Sequence, residues 1–72
     1  MFATHDDLAA AELHVLESQR KIDAHNRIIQ ELRRTRQSTR IAEKFLLKLE
    51  QGLKLHRLER DAIHFRLRAE LA

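Results

Sequence analysis

Residues 31–40 read ELRRTRQSTR, and this stretch decides the fold. Up to Leu32 the apolar residues recur every three or four positions; at Arg36 the recurrence stops, and it reopens at Ile41 and Ala42. Ser38 and Thr39 stand just before the second segment, where a side-chain oxygen can accept from the first free amides of a new helix. A break followed by a fresh cap predicts that one helix ends and another begins.

Working back from the break, Thr4-His5-Asp6-Asp7 is a helix start: a capping hydroxyl, an acid three residues later and carboxylates in the first turn. From there an apolar heptad runs through Leu8, Ala11, Val15, Ser18, Ile22, His25, Ile29 and Leu32. Working forward, a second runs through Ala42, Leu46, Leu49, Leu53, His56, Arg60, Ile63 and Leu67. The predicted unit is residues 1–72 as one helical hairpin, with helix 1 over about 5–35, a turn at about 36–39 and helix 2 over about 40–70. A reversal near residue 37 brings Leu32 to Ala42, Ile22 to Leu53 and Leu8 to Leu67, and every facing pair has numbers adding to 74 or 75. The same register places Arg33 beside Glu43, His14 beside Glu59, Glu12 beside His64, Asp7 beside Arg66 and Ile28 beside Phe45. A single continuous helix in a parallel coiled coil fits the interruption at 36–39 poorly.

Composition agrees. The 72 residues contain one glycine, no proline and three phenylalanines as the only aromatics, the make-up of long helices. Without cysteine there is no disulfide or thiolate metal site. No apolar run exceeds Leu8–Ala11, far short of a membrane span. The start MFATHDD has neither a basic nor an apolar leader segment, so a cytoplasmic location is expected. Net charge is +3, unevenly spread: residues 1–19 hold four acids and no Lys or Arg, whereas residues 20–48 hold nine basic residues against three acids. Part of that gradient suits the dipole of helix 1.

A two-helix seam buries little against the entropy of ordering the chain, so more apolar surface must be covered elsewhere. Leu55, Leu58, Ala62, Phe65 and Ala69 form a second stripe on helix 2, and Leu13 and Leu16 project from helix 1 away from the seam. These residues are the expected interface for a homodimer closing into a four-helix bundle, or for another protein. Ser18, His25, His56 and Arg60 are expected as polar layers within the seam, where they lower stability but fix register.

The remaining chemistry is sparse. No two of the five histidines stand three or four residues apart, so no ligand pair shares a helical face, and neither metal nor cofactor is expected. No glycine-rich phosphate loop is present, nor carboxylates converging from separate elements, so an enzyme is not expected. The basic turn is the other candidate: Arg33, Arg34, Arg36, Arg40 and Lys44 could contact phosphate or nucleic acid. Equally, cations at a helix end cap carbonyls and balance the dipole.

The stretches HVLESQRKIDAHNRIIQELRRTRQST and AEKFLLKLEQGLKLHRLERDAI resemble a group of short, uncharacterised helical proteins of alphaproteobacteria. The shared pattern falls on Glu17, Arg20, Ile22, Ile29, Leu32, Thr39, Ala42, Glu43, Leu46, Leu53, His56 and Arg60. The resemblance implies the hairpin fold and no activity. Where that group often carries glycine this chain has Arg36, which predicts a looser corner than a glycine-capped turn. The function expected is a non-enzymatic interaction module acting through self-association and protein contacts. The alternative is a regulator that grips phosphate backbone at its tip.

Overall fold

The computed structural model describes residues 3–71, so the two ends of the expected 1–72 unit fall outside the described residues. Two helices, α1 (His5–Arg34) and α2 (Arg40–Leu71), fold back on one another as an antiparallel hairpin. α1 stops one residue short of the expected bound and α2 runs one residue past it.

The start of α1 and the two ends that flank the turn have local causes. Thr4 Oγ1 accepts from the Asp7 amide at 3.1 Å and Asp7 Oδ2 accepts from the Thr4 amide at 2.9 Å, a reciprocal capping box. At the other end of α1 the Gln37 amide donates to the Leu32 carbonyl at 2.8 Å and the Arg36 amide to the Arg33 carbonyl at 3.1 Å. Those two bonds make a complete Schellman motif, with Arg36 as its left-handed residue at φ 57°. The looser corner expected from an arginine is therefore wrong. Two backbone bonds and the Thr35 hydroxyl, which donates to the Glu31 carbonyl at 2.9 Å, hold the turn tight despite the side chain. At the start of α2 the Thr39 carbonyl accepts the first helical bond from Glu43 at 2.8 Å, while the Ser38 hydroxyl accepts from the Arg40 amide at 3.4 Å. The two capping residues thus divide the work between backbone and side chain.

The seam follows the two heptads. Ala11, Ile22, Ile29, Leu53 and Leu67 are buried. Leu8, Val15, Leu32, Ala42, Leu46, Leu49 and Ile63 are half-buried beside them. Cross-helix bonds mark the register from end to end. Arg33 meets Glu43 at 2.9 Å near the turn, Arg57 donates to Gln19 Oε1 at 3.5 Å midway, and the Ala3 amide donates to Glu70 Oε1 at 3.3 Å at the open end. Among the described residues, Asp7 makes no ion pair with Arg66 and Glu12 none with His64. Asp7 spends its carboxylate on the cap instead.

The molecule is a rod of 56 × 15 × 15 Å with a radius of gyration of 16.5 Å. A compact chain of this length would have a radius of about 11 Å. Only one layer of side chains separates the two helices, so most residues keep one side in solvent.

Candidate functional site

Because the seam uses one stripe of each helix, the other apolar stripe is left uncovered. On α2, Leu55 is 66% exposed, Leu58 58% and Phe65 73%; on α1, Leu13 is 50% and Leu16 46% exposed. Ala62 and Ala69 complete the α2 stripe and are exposed too. All seven residues lie in the open half of the hairpin, away from the turn. A groove lined by Asp61, His64, Phe65, Arg68 and Ala69 runs beside this stripe. Nearer the turn, Phe45 and Ile28 share a second groove with Lys21, Ala24, His25 and Leu49. Phe45 was expected against Ile28 alone; its ring also lies 5.1 Å from that of His25.

The basic tip is less free than its composition implies. Arg33 is engaged by Glu43, and Arg34 pairs with Glu31 through both its Nε, at 3.0 Å, and a terminal nitrogen. The Arg34 guanidinium holds the Glu31 carboxyl below the usual carboxylate range, and Glu31 raises Arg34 in return. Both side chains are exposed, so the pair orders the helix end without adding much stability. Among the described residues, Arg36, Arg40 and Lys44 form no ion pair.

Ser18, His25, His56 and Arg60, expected as polar layers, are half-buried at the edge of the seam, and among the described residues no polar one is fully buried. His25 Nε2 lies 2.7 Å from the Ala42 carbonyl, which can only accept, so this nitrogen carries the proton. Arg60 turns back onto Asp61, with Nε at 3.1 Å and a terminal nitrogen at 3.0 Å from Oδ1.

One constellation escaped the sequence. His14 on α1 meets His56 on α2, ring centroids 5.3 Å apart, and Glu59 joins them. A ring nitrogen of each histidine and a carboxylate oxygen of Glu59 all lie within 4.8 Å of one another. Spacing along one helix does not reveal it, because the pair spans both helices. The usable signal was the three-residue spacing of His56 and Glu59, combined with the register that sets His14 beside Glu59.

Comparison with protein-family models, with curated proteins and with solved structures finds no match. None of the described helices is long and apolar enough to cross a membrane.

Proposed function

We propose that the chain is a small non-enzymatic interaction module that pairs with a second copy of itself through the outer apolar stripe, closing a four-helix bundle. The carrying observation is the uncovered surface. The hairpin exposes 6057 Å², whereas a compact monomer of 8.5 kDa exposes about 4,700 Å². The excess exceeds what one partner of a standard interface buries, about 800 Å². Several of its largest apolar side chains stand on that surface rather than in the seam.

A second copy fits better than an unrelated partner because both stripes belong to the same half of the hairpin. Glu12 and Glu17 flank Leu13 and Leu16, while residues 55–69 around the α2 stripe carry Arg57, Arg60, Arg66 and Arg68 against Glu59 and Asp61, a basic excess. Laying α1 of one copy against α2 of the next therefore matches charge as well as apolar surface.

Sedimentation equilibrium tests this. The wild-type chain is expected at twice its 8.5 kDa mass at micromolar concentration, and a Leu58→Glu, Phe65→Glu double variant at the single-chain mass. A wild-type chain that sediments as a monomer at every concentration sinks the proposal. The alternative, phosphate-backbone capture by Arg36, Arg40 and Lys44, predicts binding to duplex DNA whose affinity falls with salt. With three contacts the logarithmic slope would be about −2.7.

A further inference from the structure

We propose that His14, His56 and Glu59 form a zinc site that clamps α1 to α2 within one chain. The donors are of the right kind: two imidazoles and one carboxylate are a zinc ligand set that leaves a fourth position for water. The seam brings them together, and they stand at its edge rather than within it: His14 and Glu59 are exposed and His56 is half-buried.

A second observation points to a ligand. His56 Nδ1 is buried yet has no hydrogen-bond partner, with Glu59 Oε2 standing 3.8 Å away. Buried polar atoms are nearly always satisfied, and an orphan that faces a carboxylate and a second imidazole is what a metal would satisfy. Neighbouring cations are drawn off: Arg57 is held by Gln19 and Arg60 by Asp61, so neither neutralises Glu59. Among the described residues, the His56 ring is the only basic group within 4.0 Å of the Glu59 carboxylate.

The geometry asks for a small adjustment. Ligand atoms at about 2.0–2.1 Å from tetrahedral zinc stand about 3.3 Å apart. The observed atoms lie within 4.8 Å, a gap that rotamer changes of the exposed His14 and Glu59 can close while the backbone stays in place. Zinc is favoured over calcium or magnesium because imidazole nitrogen suits a borderline cation and only one oxygen donor is present. Zinc bound here favours the hairpin over the unfolded chain, which does not hold the three donors together.

Titrating tag-free, metal-stripped full-length protein with zinc chloride tests the site, by calorimetry and by circular-dichroism melts. One zinc per chain should bind saturably. The melting midpoint should rise by on the order of 10 °C when free zinc exceeds Kd about a hundredfold, and EDTA should reverse the rise. His14→Gln and Glu59→Gln, both at exposed positions that do not threaten folding, should each weaken binding about tenfold or more. A His5→Gln, His64→Gln variant should bind as wild type, and magnesium should have no effect. Absence of binding heat and of a midpoint shift overturns the proposal. So does zinc binding that His14→Gln and Glu59→Gln leave unchanged, which would place the metal elsewhere. Because the site lies within one chain, its stoichiometry per chain does not depend on dimer formation.

Discussion

Arg36 shows most clearly how a single residue can hold against its own preference. Its φ of 57° lies where a side chain crowds the following carbonyl, at a cost of about 1–2 kcal/mol relative to the right-handed region. Two Schellman bonds and the need to reverse the chain within five residues, 35–39, impose that conformation. Its positive charge, one residue past the Thr35 C-cap, falls at the negative end of the α1 dipole, which offsets part of the strain. Arg36→Gly should therefore stabilise the hairpin by about 0.5–1 kcal/mol, read as a higher urea midpoint at unchanged slope. A lowered midpoint would mean that the arginine makes a favourable interaction exceeding its strain. The Thr4–Asp7 cap, by contrast, was legible in sequence because both partners lie within four residues. The left-handed Arg36 was not, since arginine, unlike glycine, carries no preference for that conformation.

At the scale of the helix, α2 carries a removable weakness. Gly52 lies in mid-helix with ordinary φ, and a Cβ built on it would meet nothing within 4 Å. Gly52→Ala should raise stability by about 0.8–1 kcal/mol, because alanine loses less backbone entropy and meets no obstruction. Thermal melts at equal concentration measure it. No gain would mean that glycine leaves room for something docked on that side of the rod. The heptads of both helices were legible because a 3.5-residue repeat is a property of the chain itself. The bond from His25 to the Ala42 carbonyl was not, because register opposes His25 to Leu49 and only side-chain reach carries the ring toward Ala42.

For the whole molecule, a one-layer seam concentrates stability in few contacts. Ile22 and Ile29 are 6% and 4% exposed, so truncating either to alanine should cost about 2–4 kcal/mol, a large share of what a 72-residue chain can hold. Chemical denaturation of each variant measures the loss. If the wild-type chain pairs as proposed, its melting midpoint also rises with protein concentration, since dimer stability is linked to protomer concentration by mass action. A midpoint independent of concentration would mean that the monomeric seam alone supports the fold.

The sequence by itself determined that the chain makes two helices, where they meet and which stripe of each is buried. Periodicity, caps and the interruption at 36–39 are all local in the chain, and an antiparallel reversal converts them directly into register. Tertiary structure decided which of the neighbours set by that register bond: among the described residues Arg33 pairs with Glu43, whereas Asp7 and Glu12 do not pair with Arg66 and His64. Placing His14, His56 and Glu59 together needs two helices at a definite separation and particular rotamers. Leaving Arg36, Arg40 and Lys44 unpaired needs Arg33 and Arg34 to find Glu43 and Glu31. The register already set Arg33 beside Glu43 and His14 beside Glu59; what no repeat along the chain records is the rotamer that brings His56 into the same space and turns Arg34 onto Glu31.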